Sequence, residues 1–108
     1  MTFWKKLPKP FFCLAPMADV TDMAFRRIVA KYSGDASPNG FQAGRVMWTE
    51  FVSADGLCSK GKEKLLIDLK YTEDERPIVA QIFSSNPENI KNASALCMEL
   101  GFDGIDIN

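Results

Sequence analysis

Short apolar segments alternate with helix-like segments along this chain, and that alternation restricts its fold more than any other feature of the sequence. Four strands are predicted, over residues 11–15, 45–51, 78–83 and 104–108. Apolar runs of this length are typical of strands buried on both faces, as in parallel sheets. The order β-α-β-α-β-α-β therefore predicts an α/β fold with a parallel sheet and right-handed crossovers, either open and doubly wound or closed as a barrel.

The helices between these strands differ in how clearly the sequence defines them. The first is predicted over residues 22–31, with Thr21 as its cap. Four apolar residues at helical spacing predict its buried face: Phe25, Ile28, Val29 and Tyr32. Three basic residues are expected on its other side: Arg26, Arg27 and Lys31. A short helix is expected within residues 53–64, and the best-defined helix begins at Asn86 and Pro87 and ends at Gly101.

Length and composition indicate how much of a fold the chain supplies. At 108 residues with 46% hydrophobic and 25% charged residues, it falls in the range of one globular domain. Residues 33–44 are predicted to form an irregular connection and residues 70–76 a solvated turn. A complete (β/α)8 barrel typically needs ~250 residues, so four strands correspond to about half of one. The net charge of −1 gives no general argument for nucleic-acid binding.

Cysteine and histidine usage exclude several classes of site. The three cysteines, Cys13, Cys58 and Cys97, are widely spaced and lack the close pairs of a zinc site, which fits reduced thiols in the cytoplasm. The chain has no histidine, so Ser-His and Cys-His nucleophiles and histidine metal ligands are excluded for these residues. No signal-peptide core and no membrane-length apolar run is present, and we expect a soluble cytoplasmic protein without a metal.

Polar or special residues come near the carboxyl end of every predicted strand. They are Pro16 and Met17 after the first, Thr49 and Glu50 in the second, Gln81 in the third and Asn108 at the end of the fourth. Carboxyl ends of parallel strands meet at one mouth in a barrel and form the ligand crevice in an open sheet. The sequence therefore predicts a single site that gathers these residues.

Gln81 is the most informative of these residues because its amide lies between apolar neighbours in a strand. A buried amide needs hydrogen-bond partners. The partner is either a neighbouring strand or a ligand edge with alternating carbonyl and N–H groups, such as the pyrimidine ring of an isoalloxazine. Met17 is open to a similar choice between core packing and packing on a flat cofactor.

Three further acidic or amide residues are expected at or near the predicted strands. Glu50 follows bulky residues, and we expect it to be a carboxylate that supports the site and pairs with Arg26 or Arg27. Asp106 and Asn108 alternate with isoleucines and so face the same side of the last strand. Asn108 is expected near a pyrimidine base or a flavin edge, and Asp106 in a structural network deeper in the fold.

Several short motifs occur in a fixed order along the chain. They are Leu14-Ala15-Pro16-Met17-Ala18 with Val20-Thr21-Asp22 and Phe25-Arg26, then Thr49-Glu50, Ala80-Gln81-Ile82-Phe83 and Gly104-Ile105-Asp106-Ile107-Asn108. Together they resemble the tRNA-dihydrouridine synthase family. The resemblance implies the N-terminal half of an FMN-binding (β/α)8 TIM barrel, followed in the family by a helical tRNA-binding domain. It also implies reduction of the C5–C6 double bond of specific uridines in tRNA, with NADPH as reductant.

The same resemblance implies roles for individual residues. Pro16, Met17, Ala18 and Gln81 would bind FMN, and Asn108 would lie beside the flavin and the flipped uracil. The proton-donating cysteine of the family is expected beyond Asn108, so no catalytic residue is assigned within the chain. Asp19 departs from the family because many relatives carry glycine at its position.

Two expectations concern the chain by itself. Residues 1–108 are expected to be inactive, and an open half barrel exposes strand edges that favour self-association or aggregation. Two other functions stay open. One is another FMN-dependent TIM-barrel oxidoreductase that acts on a small molecule, like a dihydroorotate dehydrogenase. The other is a non-catalytic module that binds flavin or assembles with a partner.

Overall fold

The structure is a computed structural model that describes residues 2–33 and 44–108, and five parallel strands form its sheet. The strands are β1 (Phe12–Cys13), β2 (Arg45–Trp48), β3 (Val52–Ser53), β4 (Ile78–Phe83) and β5 (Gly104–Ile107). The α-helices are α1 (Met23–Tyr32), α2 (Ala54–Leu57), α3 (Lys62–Leu65) and α4 (Pro87–Glu99), and 3-10 helices cover Phe3–Lys6 and Glu73–Glu75. The predicted connection over residues 33–44 lies almost wholly outside the described residues.

The strand order decides between the two architectures that the sequence allowed. β1 pairs with β2, β2 and β3 both pair with β4, and β5 pairs with β4, all in parallel. β2 and β3 lie along the same edge of β4, so they are two pieces of the predicted second strand, interrupted at residues 49–51. Successive strands are therefore neighbours throughout, as in a barrel. A doubly wound sheet would contain a point at which the order reverses.

The two faces of the sheet are covered by different parts of the chain. On the outer face, α2 and α4 pack on Ala80 and Ile82 of β4, and α1 packs on Met47 and Ile78. On the opposite, inner face, the N-terminal segment places Phe3 and Leu7 against Val46 and Val79. Because side chains alternate along β4, Gln81 shares the inner face with Val79.

The buried face of α1 differs from the prediction. Arg26 and Ala30 are its buried residues, whereas Ile28 is 60% and Tyr32 78% exposed and Phe25 is also exposed. Arg26 is accommodated because Nε lies 2.5 Å from Glu75 Oε1, while Nη1 and Nη2 donate to the carbonyl oxygens of Thr21 and Lys70. Of the four predicted residues, Val29 packs on the core and the other three do not, because the helix turns toward Arg26, whose ionic partner is remote in sequence.

Three other local predictions need correction. Asp22, not Thr21, caps α1, since its side chain accepts from the backbone N–H of Phe25 at 2.8 Å. The helix expected within residues 53–64 is split into the four-residue helices α2 and α3. The solvated turn expected over residues 70–76 contains a fully buried residue, Glu75, whose carboxylate also accepts from Thr72 in a capping box.

The last helix was predicted correctly at both ends. Asn86 caps α4 by accepting from the backbone N–H groups of Glu88 and Asn89, and Pro87 occupies the first turn. After the helix, Gly101 has a φ of +84°, the left-handed conformation that glycine adopts most easily. The N–H groups of Gly101 and Phe102 then bond to the carbonyls of Met98 and Cys97 at 3.1 and 3.2 Å. No helix within the described ranges is long and apolar enough to cross a membrane.

Candidate functional site

The loop between β1 and α1 is closed by one threonine. Thr21 is fully buried, and its Oγ1 accepts from the backbone N–H of Met17 at 2.9 Å and donates to the Met17 carbonyl at 3.1 Å. The backbone N–H groups of Val20 and Thr21 donate to the same carbonyl. This closed loop leaves Met17 41% exposed and Ala18 exposed, so both are available to a ligand.

Glu50 joins this loop to the second strand. Its Oε1 accepts a hydrogen bond from the backbone N–H of Asp19. The expected pairing of Glu50 with Arg26 or Arg27 is wrong: Arg26 binds Glu75 instead, and the exposed Arg27 forms no ion pair with Glu50 among the described residues. Glu50 and Asp19 line a cavity of about 480 Å³ together with Asp22 and Lys70, and Gln81 does not line it. The structure therefore places Glu50 beside the first loop, at a cavity that Gln81 does not line.

Asp19 has a backbone conformation that explains its place in the loop. Its φ is +60°, in the left-handed region. Aspartate tolerates that region better than most residues, and glycine enters it without steric cost. A loop that needs this conformation at this position is compatible with aspartate as well as glycine, and the backbone N–H that reaches Glu50 is present in both.

Substitutions at Asp19 test this loop. We expect Asp19→Val to lower the free energy of unfolding by about 1–2 kcal/mol, because a β-branched residue is strained at positive φ. The matched variant Asp19→Gly is expected to stay within ~1 kcal/mol of the original chain. Urea unfolding followed by circular dichroism measures both. Equal stability of the two variants would contradict a left-handed conformation at this residue.

Gln81 is held at both its backbone and its side chain. Its backbone N–H donates to Thr49 Oγ1 at 3.1 Å, and its side-chain Nε2 donates to Asp106 Oδ2 at 2.7 Å. The side chain is thus bonded to the neighbouring strand β5, where Gln81 and Asp106 are in register. Among the described residues, none donates a hydrogen bond to Gln81 Oε1. The amide therefore has a structural bond at one end and an open acceptor at the other.

Trp48 completes the polar network on the inner face, and the sequence analysis missed it. Its Nε1 donates to Asp106 Oδ2 at 3.2 Å, so one carboxylate oxygen accepts from both Trp48 and Gln81. A tryptophan in an apolar strand usually needs an acceptor for its indole N–H when it is buried. From the sequence, this requirement alone could have predicted a hydrogen-bond acceptor beside Trp48. The identity of the acceptor depends on the register of non-adjacent strands.

The remaining predicted residues lie at carboxyl ends of strands without direct bonds between them. Pro16 is half-buried in the loop after β1. Asn108 follows β5, is exposed, and its backbone N–H donates to the carbonyl of Ile82 at 2.9 Å. Within the described residues, Gln81 and Asp106 form the connected centre, and Met17 and Asn108 contribute exposed side chains at the same ends of strands.

Two of the three thiols, Cys13 and Cys97, are poorly suited to nucleophile chemistry. Burial raises the pKa of the Cys97 thiol to about 11, and burial also raises the pKa of Cys13. Both thiols are therefore protonated and poorly reactive near neutral pH. Within residues 2–33 and 44–108, no group of three or more potential ligands is arranged to hold a metal ion.

Comparison with known proteins assigns the family. The family model described as dihydrouridine synthase matches residues 13–108, nearly the whole chain. The chain belongs to the dihydrouridine synthase family. This membership agrees with the resemblance carried by the loop after β1, by Gln81 and by the last strand, and with the consecutive parallel strands of a (β/α)8 barrel.

The curated relatives of this dihydrouridine synthase chain are longer proteins. A Bacillus subtilis protein named "Probable tRNA-dihydrouridine synthase 2" is 46% identical over 109 residues, which covers 98% of this chain and 30% of that protein. Proteins named "Probable tRNA-dihydrouridine synthase" from Staphylococcus aureus and Staphylococcus epidermidis are 40% and 39% identical over 107 residues, with the same coverage. The chain thus spans about a third of the length of these relatives.

Proposed function

We propose that this chain supplies the first part of the flavin site of a tRNA-dihydrouridine synthase, an oxidoreductase that reduces the C5–C6 double bond of uridines in tRNA. FMN is the proposed cofactor and NADPH the proposed reductant. The observation that carries the proposal is the amide of Gln81, which is 9% exposed on the inner face, two residues before the end of β4, and has an open acceptor.

The residues present fit the edge of a flavin ring. Gln81 Oε1 would accept from the imide N–H of the ring, since the bond from Nε2 to Asp106 leaves that oxygen without a donor among the described residues. Met17, 41% exposed in the loop closed by Thr21, would pack on the ring, and Pro16 and Ala18 would contribute backbone groups. FMN held here would supply the hydride for reduction of the uracil double bond. Asn108, exposed at the end of β5, orients the base at the same mouth.

The proposal includes inactivity of residues 1–108 by themselves. Protonation of the uracil needs an acid that can reach the base, and Cys97 does not fit that need because its thiol lies inside the helix–sheet core, where burial raises its pKa to about 11 and makes it a weaker acid. We place the proton-donating cysteine and the tRNA-binding surface in sequence that corresponds to later parts of the relatives. tRNA is then the partner of the whole enzyme, in the cytoplasm.

Self-association of the isolated chain is part of the same proposal. β1 and β5 have no strand on their outer edges among the described residues, and Phe12 and Ile107 are 75% and 61% exposed there. Unpaired edges with apolar side chains favour pairing with another chain. Light scattering after size-exclusion chromatography is expected to give a mass above that of a monomer.

A chimera tests the proposed function. The chain replaces the aligned 30% of the Bacillus subtilis relative, with which it is 46% identical. We expect the purified chimera to carry FMN and to oxidise NADPH faster when unmodified tRNA is added, while the 108-residue chain alone shows no turnover. A chimera that folds and binds tRNA but retains no flavin would contradict the proposal. The unaltered relative is the control for folding and flavin content.

A further inference from the structure

We propose that Asp106 is a positioning residue that fixes which end of the Gln81 amide faces the ligand. The inference rests on the proposed flavin site, in which Gln81 contacts the ring edge. It adds a rule of specificity to that site. Because the amide presents its carbonyl oxygen, the site selects a ligand edge that carries an N–H donor.

The hydrogen bonds of Asp106 determine the orientation. Its Oδ2 accepts from Gln81 Nε2 at 2.7 Å and from Trp48 Nε1 at 3.2 Å. An ionised carboxylate only accepts hydrogen bonds, so the NH₂ end of Gln81 must face it. A flipped amide would bring Gln81 Oε1 against a carboxylate oxygen, placing two acceptors in contact without a proton between them. Oε1 is therefore the end of the amide left for a ligand.

Neighbouring residues restrict movement of this network. The Gln81 backbone is fixed by its bond to Thr49 Oγ1 and by the register with Asp106 between β4 and β5. The Trp48 ring lies against Trp4 of the N-terminal segment that covers the inner face, with ring centroids 6.1 Å apart. Asp106 is thus held from two sides. Reorientation of the Gln81 amide has to break its bond to Asp106.

The ligand chemistry that fits is a cyclic imide, an N–H flanked by two carbonyls. Such a group occurs both in the flavin ring and in uracil. We assign it to the flavin, because Gln81 lies within β4, below the end of the strand, whereas Asn108 is exposed at the end of β5. Lumiflavin and uridine, each compared with its N3-methyl derivative, distinguish the two sources.

The first test measures the amide itself and needs no ligand. In ¹⁵N-labelled protein, the two Nε2 protons of Gln81 are expected to exchange with solvent at least about tenfold faster in Asp106→Asn than in the original chain. Asparagine keeps the shape of the side chain but offers either a donor or an acceptor, so both orientations of Gln81 become possible. Glu99→Gln, which removes a negative charge from an exposed position on α4, is the control.

The second test measures specificity. We expect the original chain to bind lumiflavin about tenfold more tightly than 3-methyllumiflavin, the factor typical of one hydrogen bond. In Asp106→Asn the preference is expected to fall below about threefold, since the flipped amide presents a donor. If Asp106 had a purely structural role, Asp106→Asn would lower the affinity for both ligands equally and leave the ratio of the two affinities unchanged. If the chain preferred uridine over 3-methyluridine but bound lumiflavin and 3-methyllumiflavin equally, the Gln81 amide would contact the base, and the assignment to the flavin would be overturned.

The combined outcomes separate this inference from the proposed function. Unchanged exchange of the Gln81 protons in Asp106→Asn would overturn the positioning role. Faster exchange, in a chain that binds neither lumiflavin nor its methyl derivative, would support the positioning role and contradict the flavin site. Trp48→Phe is the second variant and serves where Asp106→Asn does not fold. It keeps the bond from Gln81 to Asp106, so a preference for lumiflavin that is lost in this variant would contradict the role.

Discussion

Arg26→Met is expected to lower the free energy of unfolding by about 3–5 kcal/mol. The side chains of Arg26 and Glu75 are both fully buried, with Nε and Oε1 2.5 Å apart. Methionine fills much of the same space but leaves the Glu75 carboxylate buried without its cation. It also removes the donors to the carbonyl oxygens of Thr21 and Lys70. Since whole domains are stable by only ~5–15 kcal/mol, this loss removes a large part of the total.

Urea unfolding followed by circular dichroism measures the effect. The series is repeated at several protein concentrations, because self-association changes the apparent stability. Arg27→Met is the matched control, since Arg27 is the next residue on the same helix and is exposed. We expect the control to change the free energy of unfolding by less than ~0.5 kcal/mol. Similar stabilities of the two variants would show that Arg26 is not a buried ion-pair partner.

Gln81→Leu is expected to weaken flavin binding at least tenfold. Leucine resembles glutamine in size but offers no acceptor to the ring edge and no donor to Asp106. Asp106 keeps its bond from Trp48, so its carboxylate is not left without a partner. The measurement is a fluorescence titration with lumiflavin for the chain and the FMN content after purification for the chimera.

The control for this variant is Asn92→Leu, an amide-to-leucine exchange at an exposed position on α4. It is expected to leave flavin binding unchanged. The unfolding curve of each variant shows whether a loss of binding reflects a loss of structure. Gln81→Leu with normal flavin affinity and a normal unfolding curve would exclude Gln81 from the flavin site.

The sequence predicted the features of the fold that depend on local patterns. Apolar runs located the strands, and Asn86 and Pro87 located the start of α4, because capping and periodicity involve residues close in sequence. The barrel-like order of strands was left open, since periodicity carries no information on which strands are neighbours. The grouping of candidate residues at carboxyl ends of strands followed from the alternation of strands and helices alone.

The wrong cap of α1 was a local error, since Asp22 and Thr21 are neighbours, but the larger errors involve partners that are remote in sequence. The ionic partner of Arg26 is separated from it by 49 positions, so the helical stripe alone favoured the wrong buried face. The bond from Trp48 to Asp106 spans 58 positions and depends on the placement of β4 between their strands. Likewise, the pairing of Glu50 with the Asp19 backbone depends on a positive φ that residue types alone do not define.

Dihydrouridine in tRNA is the most direct measure of the central proposal, that this chain supplies the first part of the flavin site of a working synthase. The chimera with the Bacillus subtilis relative is expressed in cells that lack their own dihydrouridine synthases, and tRNA nucleosides are analysed by mass spectrometry. We predict uridine that has gained two hydrogens, and its loss when Gln81→Leu is introduced. A folded, tRNA-binding chimera that leaves every uridine unreduced, while the unaltered relative reduces them, would contradict the proposal.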